Sequence, residues 1–239
     1  MTASIWTTAG KYSVPDFWAD KNWQRPYAFL RSVESETREA AHRSNAHRFL
    51  EDKITSGFEL KRVLYRSSLT KNAGTTIPFS VFSEILRTAY QVLPSHPYLF
   101  AGVITQSVEG WKDGYWILDH SPRSIKPTFV DFDEHSVAGM IQGQQWASGP
   151  GISFLIGIDW EYARSEADER DAIYAQSLMD VGRAGHALLL RGLHSGLSAR
   201  MTPAIRESLA AAAFNLGPER DFLYFLKLAY PAAHPGDQP

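Results

Sequence analysis

Residues 170–197 read RDAIYAQSLMDVGRAGHALLLRGLHSGL, and this stretch decides the architecture. Taken from Arg164 to about Leu193, it has the pattern of one long helix. Ala172, Leu178, Val181, Ala184, Leu188 and Leu189 recur at helical spacing on an inward face. Gly182 and Gly185 carry no side chain, so another helix or a flat ligand can approach the axis there. Upstream, ISFLIGI at 152–158 is short, continuous and apolar, as expected of a strand buried on both faces. Downstream, Thr202-Pro203 has the form of a helix start running through Phe214. After Gly217-Pro218 comes a strand-like run, FLYFLKLAYP.

Further toward the N-terminus a helix is expected over 135–146. LFAGVITQ at 99–106 and GYWILD at 114–119 flank turn-forming residues and read as a hairpin-like pair. Over 79–93, Phe79, Phe82, Ile85, Leu86, Ala89 and Tyr90 fall on one face of a 3.6-residue period, and Pro94 marks the end. Residues 35–49 read as a polar helical stretch, and Thr55 or Ser56 is the expected N-cap for a further helix over FELKRVLYRS. Residues 1–33 are aromatic and punctuated by proline, an arm that packs on the body or on a partner. The expected organisation is that arm, a domain over 34–231, and a disordered tail over 232–239. Helices and strands neither alternate strictly nor segregate. That order favours an α+β fold, one mixed sheet against several helices around a long central helix, over a doubly wound sheet.

Composition narrows the chemistry. The chain has 239 residues with 24 Lys+Arg against 26 Asp+Glu, so no charge surplus is available to hold nucleic acid. Hydrophobic residues at 44% and charged residues at 21% are those of a globular chain rather than a disordered one. The absence of cysteine excludes disulfides, thiolate metal sites and a cysteine nucleophile. His42 and His47 stand five apart, about 140° around a helix, too far round to share a metal. No basic n-region precedes an apolar stretch and no run approaches a membrane span, so a cytoplasmic location without membrane contact is expected. The sequence contains no GxGxxG, P-loop, HExxH or GxSxG motif. By contrast, Arg43, Ser44 and Arg48 put two guanidinium forks and a hydroxyl within six residues, a group able to grip phosphate, although a solvated basic helix end has the same composition.

Several segments taken in order resemble one family. RSNAHRF at 43–49 followed by DKITSGFELKRVL is similar to the opening segment of the flavin-dependent nitroreductase superfamily. PFSVFSEILRTAYQVLPS, VEGWKDGYWILD, the 170–197 stretch and NLGPERDFLYFLKLAYP resemble successive elements of its SagB-type azoline dehydrogenase branch. The resemblance spans about residues 40 to 231. It implies a homodimeric nitroreductase-like α+β fold with FMN at the subunit interface, oxidising a peptide azoline to an azole during ribosomal peptide natural-product biosynthesis. A modified precursor peptide would be the substrate and a cyclodehydratase a partner. Such a reaction needs a base for the ring Cα proton while hydride leaves to the flavin. The matched cofactor positions are Arg43, Ser44 and Arg48 for the phosphate and ribityl end, and Pro94 and Ser95 beside the ring. Leu197 and Ser198 would present backbone to the flavin edge, with Arg200 helping with negative charge. Where the branch carries a Lys-Tyr pair, this chain has Glu161 and Tyr162, the candidate catalytic residues. Two other readings stand beside this one: an NAD(P)H-dependent nitro- or quinone reductase, and a flavin-free relative serving as a scaffold or with altered chemistry.

Overall fold

The computed structural model describes residues 68–69, 72–95, 97–120, 123–165 and 170–232. The chain divides into two compact units, 1–53 with 167–176 and 54–166 with 177–239. Of the first, only the opening of one helix is among the described residues; the sheet and its covering helices belong to the second. The expected arm, the two helices before residue 68, the tail from 233 onward, and Arg43, Ser44 and Arg48 lie outside the described residues.

Helix α1 (Phe79–Val92) leads through a 3₁₀ turn, Leu93–Ser95, into strand β1 (Leu99–Gln106). There follow β2 (Gly114–His120), β3 (Arg123–Pro127), α2 (Glu134–Met140), a 3₁₀ turn at Gln145–Ala147, and β4 (Gly151–Asp159). The chain then runs through α3 (Trp160–Ser165), α4 (Arg170–His194), β5 (Ser198–Thr202), α5 (Glu207–Phe214) and β6 (Arg220–Ala229). The strands make one six-stranded sheet in the order β3-β2-β1-β4-β6-β5. This is the α+β architecture expected. Among the described residues every ladder is antiparallel, and the parallel component of a mixed sheet is confined to two isolated bridges, Ser68 with Ala199 and Ile77 with Val108.

Strand β4 is central because its sequence allows nothing else: with eight of its nine residues buried it must have a neighbour on each edge and a layer on each face. Its edges pair with β1 and β6. Side chains alternate between the faces. Phe100, Ile104, Leu155, Phe222 and Phe225 point to one side, where α2 and α5 cover them with Val137, Met140, Ala210 and Phe214. On the other side lies α4, close enough that a Cβ on Gly192 would meet Leu228 Cδ2 at 2.5 Å and one on Gly185 would meet the Tyr224 ring at 3.2 Å. The close approach inferred for Gly185 therefore serves the sheet, while Gly182 has open space around it. Val181, Ala184, Leu188 and Leu189 are buried as expected, but Leu178 is 42% exposed. The buried stripe on that turn passes instead through Ser177 and Asp180, polar residues that a hydrophobicity pattern overlooks.

Other boundaries moved for local reasons. The helix expected over 135–146 stops at Met140, because Gln142 and Gly143 are both left-handed (φ 54° and 81°). It begins one residue early, with the Asp133 side chain accepting from the His135 backbone at 3.0 Å. Thr202 does not open a helix. It ends β5, its hydroxyl accepts the Ala204 N–H at 3.1 Å, and α5 starts at Glu207. The long helix ends as its sequence suggests: Gly196 is left-handed, its N–H goes to Leu193 O, and the Leu197 N–H reaches back to Gly192 O at 2.9 Å, a Schellman pair.

Candidate functional site

Strand register separates the residues singled out from sequence. Ser198 and Arg200 on β5 stand opposite Ala229 and Lys227 of β6. Lys227 stands opposite Ser153 of β4, and Ser153 opposite Ile104 of β1. That row lies toward one end of the sheet. At the other end Leu99 pairs with Ile158, and α3, with Glu161 and Tyr162, follows directly from β4. From Ser153 to Asp159 the strand advances roughly 20 Å at about 3.3 Å per residue. Within one chain, therefore, Arg200 and Ser198 come together, while Glu161 and Tyr162 lie at the far end in company with Pro94 and Ser95, which precede Tyr98 and β1.

The Arg200 end is built around a stacked cation. The Arg200 guanidinium lies 4.6 Å from the centroid of the Trp146 ring. Trp146 is carried on the 3₁₀ turn Gln145–Ala147, donates its Nε1–H to Gln144 Oε1 at 2.8 Å, and meets Phe225 edge-on at 5.8 Å. Next to Arg200 on the same face, Lys227 is fully buried. Its Nζ donates to Gly149 O at 2.7 Å and to Gln106 Oε1 at 3.2 Å. Burial lowers the Lys227 pKa to about 7, with Glu134 and Asp113 pulling the other way. Gly151 makes room for this amine: its φ is 144°, and a Cβ there would come within 2.6 Å of Leu228 O and 2.8 Å of Lys227 Cε. Ser153 Oγ is buried without a hydrogen-bond partner. Leu197 is buried, and its N–H is already committed to the helix cap. An open cleft of about 370 Å³, lined by Ser80, Val81, Glu84, His194 and Ser195, adjoins that cap.

At the opposite end Tyr98 donates its hydroxyl to Asp180 Oδ2 at 2.5 Å, and Arg183 donates to Asp180 Oδ1 at 3.0 Å. Burial first, then the Asp180 carboxylate, pushes the Tyr98 phenol well above its ordinary value. Asp159 holds α3 in place, accepting the Tyr162 N–H at 3.1 Å and Arg220 Nε at 2.8 Å. Its burial alone would raise the carboxyl, but the Arg220 bond and the helix N–H groups outweigh that and leave it below its ordinary value. Tyr162 is 42% exposed. The sequence reading missed Trp146, Lys227, Tyr98 and Asp180. Of these, Lys227 had a visible signal, a single amine inside the apolar run FLYFLKLAYP.

Among the described residues no group of three or more His, Asp or Glu is arranged to hold a metal, and no helix is long and apolar enough to cross a membrane. No family model matches the chain, and no curated protein matches it. Its architecture does match solved structures, and it is the nitroreductase fold. A protein described as a nitroreductase from Anabaena variabilis superposes with a TM-score of 0.63 at 14% identity, over 72% of this chain. The chain spans 38% of the length of that protein. Nitroreductase A from Vibrio parahaemolyticus gives a TM-score of 0.55 at 14% identity, over 77% of this chain and 72% of its own. A chain of the Escherichia coli microcin synthetase McbBCD complex with truncated pro-MccB17 bound gives 0.56 at 14% identity, over 93% of this chain and 100% of its own.

Proposed function

We propose that this protein is an FMN-dependent oxidoreductase that oxidises a peptide azoline to an azole in ribosomal peptide natural-product biosynthesis, working in the cytoplasm as a homodimer beside a cyclodehydratase. The observation that carries the reading is the end-to-end likeness to a chain of the microcin synthetase complex, where the nitroreductases of Anabaena variabilis and Vibrio parahaemolyticus cover about three quarters of this chain. When bound, FMN would supply a two-electron acceptor for hydride. The donor set at the Arg200 end suits such a group. Arg200 makes no ion pair among the described residues, so its guanidinium fork is available to an anion, and no carboxylate touches Lys227 beside it. Arg43, Ser44 and Arg48 would take the phosphate and ribityl end, Ser198 the flavin edge and, from the other copy of the homodimer, Pro94 and Ser95 the ring. With its N–H spent on the helix cap, Leu197 would act through its position rather than as a donor.

The two ends of the sheet fit this chemistry only across two chains. Proton abstraction and hydride departure occur on one heterocycle, within about 3–3.5 Å of their acceptors, whereas Tyr162 and Arg200 of one chain are separated by most of the length of β4. In a homodimer Tyr162 of one copy would serve as base for a substrate held near Arg200 of the other, with Glu161 beside it. The ring Cα–H bond breaks and its proton goes to the base. Hydride leaves the neighbouring ring carbon, and the ring closes its second double bond as the electron pair left at Cα moves in.

The test is direct. Protein loaded with FMN and desalted keeps the flavin absorbance, and an azoline-bearing peptide bleaches it in the absence of oxygen. A colourless protein after loading overturns the proposal. Bleaching by NAD(P)H with no peptide present points to a nitro- or quinone reductase instead. Tyr162→Phe should keep the flavin and lose the bleaching, and unchanged bleaching removes Tyr162 as the base.

A further inference from the structure

We propose that Trp146 is the positioning residue of Arg200, its indole face fixing the guanidinium at the β5 end of the sheet where it meets the negative charge of the reduced cofactor; this rests on the flavin reading. A long cation with no carboxylate to hold it samples many rotamers, and a charge that moves stabilises a developing anion poorly. Among the described residues Arg200 has no ion pair, and its guanidinium lies over the Trp146 ring at 4.6 Å. The indole is itself held from two directions, by its Nε1–H bond to Gln144 Oε1 and by the Phe225 ring against it.

The turn that carries Trp146 is bolted down in its turn. Two residues beyond Ala147, the carbonyl of Gly149 accepts from Lys227 Nζ, and Lys227 is the residue directly opposite Arg200 in the β5–β6 ladder. Gly151 lacks the Cβ that would displace the lysine stem. Lys227 thus ties the turn that carries Trp146 to the strand residue facing Arg200.

The experiment compares the midpoint potential of bound FMN in the wild type, Trp146→Leu, Trp146→Phe, Arg200→Gln and the double variant Trp146→Leu/Arg200→Gln. Arg200→Gln and Trp146→Leu should each lower the preference for reduced flavin about tenfold, roughly 30 mV for two electrons. Trp146→Phe, which keeps an aromatic face, should retain most of it, and the double variant should fall no further than Arg200→Gln alone. Should Trp146→Leu not fold, Arg200→Lys carries the test: it keeps the charge and loses the flat stacking surface, so a lowered potential supports the role of Trp146 and a wild-type potential overturns it. Arg200→Gln lowering the potential while Trp146→Leu leaves it unchanged also overturns the inference, as does no movement in either. A wild-type protein that takes up no FMN fails the flavin reading and this inference with it, whereas uptake with an unmoved potential fails this inference alone.

Discussion

Replacing Lys227 by Met removes a buried amine while nearly preserving its volume, and the consequence depends on pH in a calculable way. In the unfolded chain the amine titrates at 10.5, and burial lowers it to about 7 in the fold. Below pH about 7 the amine is protonated in both states and the fold bears the full cost of the buried charge. Between about 7 and 10.5 the unfolded chain binds the proton and the folded chain does not, so stability rises with pH by up to about 1.4 kcal/mol per pH unit. Across the whole interval that amounts to about 5 kcal/mol. Above pH 10 the Tyr98 phenol, raised in the fold, works against it by losing stability as the unfolded chain ionises, so the clean window is pH about 7 to 9.5. In that window the wild type should gain about 3 kcal/mol relative to Lys227→Met. The charged groups acting on the amine, Glu134 from α2 and Asp113 from the β1–β2 turn, remain in both proteins. Met leaves Gly149 O and Gln106 Oε1 without their donor, about 1–3 kcal/mol each, but this offset does not vary with pH. Urea unfolding of both proteins across the window measures the difference. A wild-type stability that stays flat, or a variant that rises in parallel with it, refutes the reasoning and means that Lys227 is charged in the fold.

Three further outcomes are expected. Phe129→Asn should stabilise the fold by about 1 kcal/mol, since a left-handed backbone (φ 59°) suits Asn and the Phe129 ring, 92% exposed, loses no burial; thermal melting checks it. Gly192→Ala should cost about 1–3 kcal/mol, because the new methyl lands on Leu228 and lifts α4 from the sheet, which a lowered urea midpoint would show. Tyr98→Phe should cost about 1.5–3 kcal/mol by withdrawing a hydroxyl from the fully buried Asp180 carboxylate, and the same variant measured above pH 10 should lose less stability with further rise in pH than the wild type does.

How much of this was legible in the chain depends on how local the cause is. The α1 stripe, the paired β1 and β2, the doubly buried β4 and the glycine-capped end of α4 are written in residues that neighbour one another in sequence, and each forms where its pattern indicates. The exceptions have local causes as well, but causes that compete: left-handed Gln142 and Gly143 end α2 early, and Thr202 serves a turn rather than a helix start. Leu178 falls on the inward stripe by hydrophobicity alone, whereas the turn of α4 that it occupies buries Asp180 against Tyr98. β3 was not foreseen, since RSIKP is short and polar and becomes a strand only because β2 offers it an edge.

The site is where sequence and structure part. By itself the sequence determined the fold class, the central helix and which residue types could grip an anion, because periodicity and side-chain chemistry act over a few residues. Only the tertiary structure decided which of those residues meet. Strand register set Lys227 against Arg200 and Ser153, brought Trp146 under the guanidinium from a turn more than fifty residues away, and sent Tyr162 to the opposite end of the sheet. Those meetings depend on which strand edges pair and on what a buried amine can reach once water has been excluded, and neither is set by the residues on either side.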